Sequence, residues 1–217
     1  MSLIVKICGL STPETVDAAL EAGADMVGLV FFPPSPRFVA LDAAALLAAR
    51  ARGRAEITVL TVDMDEAALA EIVEAVRPDW LQLHGHEPPA QVAALKRRFG
   101  LPAMKAIGVR EPADLAAVTA YAGIADRILL DAKPPKGATR PGGNAVAFDW
   151  AILDGFAPDT PWMLSGGLDP ANVAAAIART RAPGVDVSSG VETAPGRKDA
   201  GLIAGFVAAA RGAVSRP

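Results

Sequence analysis

The chain has 217 residues, 52% hydrophobic and 21% charged, with a net charge of -3, the profile of a globular protein long enough to bury a sizeable core. That balance argues against nucleic acid as a partner, because no excess of Lys and Arg is available to neutralise phosphates. It also argues against a membrane span, since the apolar run "MVGLVFF" is stopped by "PPSP". The first residues show no basic segment leading into a long apolar one, so no secretory signal is expected, and a lone cysteine, Cys8, fits a reducing, cytoplasmic compartment.

Along the chain, short β-rich runs alternate with capped stretches of helical period. The first run, "LIVKICG", ends in Cys8 and Gly9. In "STPETVDAALEAGA", Thr12 can cap a helix, Pro13 takes the first helical position where no amide proton is needed, and Gly23 ends it. "MVGLVFF" is the second strand and leads into a proline-rich loop holding Arg37; "EITVLTV" is the third. After it, "DEAALAEIVEAV" sets Leu69, Ile72, Val73 and Val76 on one core-facing stripe. "WLQLHG" is the fourth strand, followed by "PPAQVAALKRRFG" with Val92, Leu95 and Phe99 in the same pattern. "PAMKAIGV" and "RILLDA" are the fifth and sixth strands, and the longest unpatterned stretch, Lys133 to Ala147, comes next; a loop of that length is usually functional or mobile. "PWMLSGG" is the seventh strand, and Asp169 and Pro170 in "LDPANVAAAIA" repeat the Thr12–Pro13 signal. "GVDVSSG" is the eighth, and "KDAGLIAGFVAAARG", with Leu202, Ile203, Phe206 and Val207 inward, closes the series as an eighth helix.

Eight strand-then-helix units predict a single (β/α)8 TIM barrel over residues 1–217, in preference to a doubly wound open sheet, which would carry a G-x-G-x-x-G turn after its first strand. Active sites of such barrels sit at the C-terminal ends of the strands. Those ends are polar here: Cys8, then Gln82 and His84, then Asp131, Ser165, and finally Asp186, Ser188 and Ser189. Because side chains alternate, Lys6 lies on the same face one layer below Cys8. Lys6 either stabilises a Cys8 thiolate or pairs with Asp131 or Asp186. Gly166 and Gly167 after strand seven, and Ser188, Ser189 and Gly190 after strand eight, combine close backbone approach with hydroxyl donors where this fold recurrently binds phosphate. "HGHE" has metal-like spacing, but with two histidines and no third ligand cluster it reads as a polar contact rather than a zinc site. Arg37 reads by default as a solvated loop residue, or else as a fixed guanidinium pairing with a carboxylate or phosphate at the mouth.

The ordered set "VKICG", "VFFPPSPR", "LQLHG", "ILLDA", "FDW", "LSGGLDPANV" and "GVDVSSGVE" resembles the phosphoribosylanthranilate isomerase family of tryptophan biosynthesis, from Val5 to about Phe206. The resemblance implies a ribulose-phosphate-binding barrel that performs an Amadori rearrangement without metal or organic cofactor. It acts on a small phosphorylated substrate as a monomer or homodimer. It further implies Cys8 as general base, Asp131 as general acid, Arg37 on the anthranilate carboxylate, Asp186 on the sugar hydroxyls and the two glycine-containing loops on the phosphate. Strands one and six would face each other across the mouth with the ribose between them. An acid and base pair then needs Asp131 raised and Cys8 lowered from their ordinary pKa ranges. A histidine-pathway isomerase barrel would be expected to use paired aspartates, and a noncatalytic phosphate-binding barrel would need neither group. A redox-sensing Cys8 would lack a resolving partner. The sequence departs from the family at "GGNAVAFDW", where Asn144 and Ala145 replace a usual Ser/Thr-Gly pair; Ala145 adopts positive φ only at a cost.

Overall fold

The computed structural model describes residues 3–133 and 148–214. Eight parallel strands close into a barrel in chain order: β1 Ile4–Cys8, β2 Met26–Phe31, β3 Glu56–Thr61, β4 Trp80–Leu83, β5 Ala103–Val109, β6 Arg127–Ala132, β7 Trp162–Leu164 and β8 Gly184–Val187, with β8 pairing back on β1. All eight fall inside the runs predicted from sequence. Strands buried on both faces need continuous apolar runs, which is why the β-rich segments were legible.

A recurring device fixes the N-terminal rim. Asp25, Asp79 and Asp126 each stand immediately before an even strand and accept a hydrogen bond from an amide of the preceding odd strand, Val5, Ile57 and Ala103, at 2.7, 2.7 and 2.8 Å. The carboxylate supplies an acceptor to an amide within the first two residues of β1, β3 and β5. Above this rim, Met26, Met104, Leu129 and Met163 fill the barrel floor, and the Arg127 guanidinium lies 4.3 Å over the Trp80 ring. A polar layer comes next, and the mouth lies above it.

Helices α1 Pro13–Glu21, α2 Leu41–Ala51, α3 Glu66–Val76 and α4 Pro89–Phe99 cover the first four units. Thr12 caps α1 by accepting from the Thr15 amide at 3.3 Å, and Gly23 follows its end at φ +84°. The predicted stripes are buried, except that Val73, Phe99 and, in the last helix, Leu202 sit at the edge of the packed face. Two expectations need correction. The fifth unit has only a 3-10 turn, Pro112–Leu115, and a four-residue helix α5, Ala116–Thr119. In the sixth, the described residues hold a 3-10 turn, Trp150–Leu153, rather than a helix. After β7, Asp169 makes the contacts expected of a cap, accepting from the amides of Ala171 and Asn172 while its own amide donates to Asn172 Oδ1, and regular helix, α6, follows at Val173–Thr180. The last helix, α7 Ala200–Val214, buries Ile203, Phe206 and Val207. Between β8 and α7 lies a small two-stranded antiparallel ribbon, β9 Glu192–Ala194 and β10 Arg197–Lys198, which the strand count did not anticipate. The altered glycine pattern at Asn144 and Ala145 lies outside the described residues.

Candidate active site

The C-terminal mouth opens into a cavity, and Cys8, Asp131, Arg37, Gly166, Gly167, Asp186, Ser188 and Ser189 all line it. The fold therefore collects on one concave surface residues that lie up to 181 positions apart in the chain. Gly190 is the exception. It sits behind the cavity wall, where a Cβ would collide with the Leu168 carbonyl, so its part is to let the loop after β8 back onto the loop after β7.

Cys8 ends β1 with its thiol facing inward, 3% exposed. Space for the sulfur comes from the neighbouring strand, since a Cβ on Gly28 would lie 2.8 Å from Sγ. Gly9, at φ +78°, turns the chain out of the strand; a side chain there would meet the Arg37 stem rather than the thiol. Lys6, fully buried one layer down, pairs with Asp186 at 2.7 Å, and Ser165 Oγ donates to the other Asp186 oxygen at 3.0 Å. Of the two roles open to Lys6, the ion pair is the one formed. Burial would lower the Lys6 ammonium, but Asp186 holds it above its ordinary range.

Burial reverses the expectation for the thiol. It pushes Cys8 above the ordinary thiol range; Lys6 and Lys198 pull it down, but the Asp186 carboxylate opposes them. The expected result is a rate of Cys8 alkylation that climbs through the alkaline range with a midpoint above the ordinary thiol value of about 8.5. A midpoint at or below that value would refute the assignment.

Asp131, at the end of β6, accepts from the Ala132 amide at 2.8 Å through Oδ1. Its Oδ2 lies 3.2 Å from His84 Nε2, and His84 Nδ1 lies 3.0 Å from Gln82 Nε2. With the Gln82 amide donating, Nδ1 is the acceptor and the proton sits on Nε2, aimed at Asp131. His84 is thus a polar contact within the site, as its sequence context suggested. Its loop is held from outside the barrel: Glu87 accepts from the amides of Gly85 and Asp63 and pairs with the buried Lys105 at 2.8 Å.

Arg37 is not a solvated loop residue; it is 4% exposed. Its Nε and Nη2 make a two-point contact with Glu192 on the ribbon at 2.6 and 2.7 Å, and Lys198 Nζ reaches the same carboxylate at 2.7 Å. Burial would raise Glu192, but Arg37 and Lys198 hold it below the usual carboxylate range. Neither ribbon residue was identified from sequence. The available signal was Pro195-Gly196, a turn dipeptide flanked by residues of opposite charge.

In the loop after β7, Gly166 and Gly167 have φ of +84° and +66°. A Cβ on Gly166 would run into the Ala132 amide and come within 3.0 Å of Asp131 Oδ1. Gly166→Ala is accordingly expected to lose at least about 1–2 kcal/mol from the left-handed backbone alone and to depress kcat by displacing Asp131. A thermal melt and steady-state kinetics on the purified variant check both effects, and an unperturbed kcat would contradict the second.

Comparison with known proteins agrees with this geometry. Residues 5–209 match the family model described as N-(5'phosphoribosyl)anthranilate (PRA) isomerase. The N-(5'-phosphoribosyl)anthranilate isomerase of Nitrobacter hamburgensis is 62% identical, covering 98% of this chain and 95% of that one. A crystal structure of phosphoribosyl anthranilate isomerase from Thermotoga maritima superposes with a TM-score of 0.83 at 34% identity, covering 97% of this chain and 99% of that one. A structure of phosphoribosyl anthranilate isomerase solved in complex with reduced 1-(o-carboxyphenylamino)-1-deoxyribulose 5-phosphate gives a TM-score of 0.79 at 32% identity, covering 97% of this chain and 99% of that one. A barrel whose mouth places Cys8 and Asp131 on one cavity, with a match along nearly the whole chain, belongs to the N-(5'-phosphoribosyl)anthranilate isomerase family.

Proposed function

We propose that the chain converts N-(5-phosphoribosyl)anthranilate into 1-(2-carboxyphenylamino)-1-deoxyribulose 5-phosphate, with Cys8 as general base and Asp131 as general acid. The observation that carries this reading is the shared cavity: a thiol from β1 and a carboxyl from β6 line a space that the two glycine-containing loops complete. A phosphate held by the backbone around Gly166 and Gly167 and by Ser188 and Ser189 would lay the ribose between acid and base.

The reaction starts with Asp131 protonated and Cys8 ionised. Asp131 gives its proton to the ribose ring oxygen, the C1'–O bond breaks, and the nitrogen lone pair forms the C1'=N bond of a Schiff base. Cys8 then takes the C2' proton, and the electron pair left behind forms an enolamine and neutralises the nitrogen. Tautomerisation moves the enol proton to C1' and yields the ketose. One turnover leaves a proton on sulfur and removes one from Asp131, so the cycle closes when the thiol releases its proton and the carboxyl regains one. His84 Nε2, 3.2 Å from Oδ2, stands on that route.

In this reading Arg37 holds the anthranilate carboxylate. Asp186, already accepting from Lys6 and Ser165, offers its remaining lone pairs to the sugar hydroxyls. A raised thiol makes kcat/KM rise with pH through the alkaline range, because that parameter reports the free enzyme's base. A plateau reached by neutral pH would count against Cys8 as the base. The direct test is incubation of the purified protein with phosphoribosylanthranilate generated in situ, followed by loss of anthranilate-type fluorescence. Absence of turnover rejects the proposal. The chain acts as a monomer or homodimer, in keeping with a Thermotoga maritima relative described as dimeric and also in monomeric form.

A further inference from the structure

The ribbon β9–β10 lies outside the barrel, yet it carries two buried charges that the chemistry above does not use. The Glu192 carboxylate accepts four hydrogen bonds: from Arg37 Nε at 2.6 Å and Lys198 Nζ at 2.7 Å on Oε1, and from Arg37 Nη2 at 2.7 Å and the Gly196 amide at 3.1 Å on Oε2. Lys198, with a side chain 1% exposed, also donates to the Ser188 carbonyl at 2.9 Å and hydroxyl at 3.2 Å. The turn of the ribbon is seated against the segment that delivers Arg37, because a side chain on Gly196, at φ +80°, would collide with the Pro36 carbonyl. A planar guanidinium gripped at two points by a carboxylate that is itself anchored has little rotational freedom.

We propose that Glu192 and Lys198 are positioning residues: the ribbon aims Arg37 at the cavity and so selects substrates whose arylamine carries a carboxylate. This rests on the role given to Arg37 above. Orientation and simple attraction make opposite predictions for one variant. Glu192→Gln removes a negative charge, so attraction alone would draw an anionic substrate in more tightly and lower KM. Loss of orientation raises it.

The experiment measures kcat and KM for phosphoribosylanthranilate in the wild type, Glu192→Gln, Lys198→Met and Lys198→Arg, with inorganic phosphate as competitive inhibitor and a thermal melt for each. For Glu192→Gln the expected result is a KM raised about tenfold or more, kcat within about threefold, and an unchanged inhibition constant for phosphate. Lys198→Met raises KM in the same direction and also weakens phosphate inhibition through Ser188; Lys198→Arg restores most of both. If Glu192→Gln fails to fold, the two Lys198 variants decide. An unchanged or lowered KM in the folded variants, beside an active wild type, overturns the positioning role alone. An inactive wild type overturns the functional reading and this inference together.

Discussion

Cys8→Ser is expected to lower kcat by about 10²–10⁴-fold, the range a positioned general acid or base contributes, while the melting temperature barely changes. The site holds the thiol in place whether or not it is ionised: Gly28 leaves room for the sulfur, and the Lys6–Asp186 pair lies below it. A hydroxyl fits that space. It cannot serve as the base, because an alcohol holds its proton far more tightly than a thiol and the same burial that raises Cys8 would raise it further. The measurement is steady-state kinetics together with a thermal melt. Near-normal turnover in a folded Cys8→Ser protein would refute the assignment, and a collapsed melting temperature would instead indicate that the thiol's packing matters more than its chemistry.

Asp131→Asn is expected to cause a loss of similar size, about 10²–10⁴-fold in kcat, for a complementary reason. An amide has no acidic proton for the departing ring oxygen, so C1'–O cleavage loses its acid. Asp131 now accepts from two donors, the Ala132 amide and His84. Asparagine has one acceptor oxygen, so one of these contacts is lost, at about 1 kcal/mol of stability. The two variants should also separate in their pH profiles. Cys8→Ser removes the alkaline rise of kcat/KM, whereas Asp131→Asn keeps that rise on a much lower baseline. A pH profile unaltered in Cys8→Ser would assign the alkaline rise to another group.

Burial holds the thiol above its ordinary range even though Lys6, while paired with Asp186, still favours its ionisation. Phosphate and carboxylate charges entering the cavity, and exclusion of water by the ribose, act against the thiolate as well, so in the proposed mechanism the base works from the ionised fraction that remains.

How much of this was legible depended on the range of the interaction. Parallel strands buried on both faces write themselves as apolar runs, and alternation along a run assigns its faces; Cys8, Asp131, Asp186 and the loop glycines were found that way. Thr12 and Gly23 were legible because a cap is satisfied within one helical turn. Asp169 was legible for the same reason, and it exchanges cap contacts with Asn172 ahead of Val173. The shortened fifth unit was misjudged: apolar residues were present in number but did not extend over enough turns to cover the barrel.

The sequence by itself determined the eight-stranded repeat, the polar strand ends and the family, because each depends on pattern within a segment or on an ordered set of segments. Only the tertiary structure decided which charges meet. Lys6 with Asp186, Arg37 with Glu192, and His84 with Asp131 are separated by 180, 155 and 47 positions. No local propensity encodes such distances; barrel closure sets them, by fixing which strand ends share the mouth. The upward direction of the Cys8 pKa follows from that closure as well, since burial in the barrel, aided by Asp186, outweighs the adjacent Lys6.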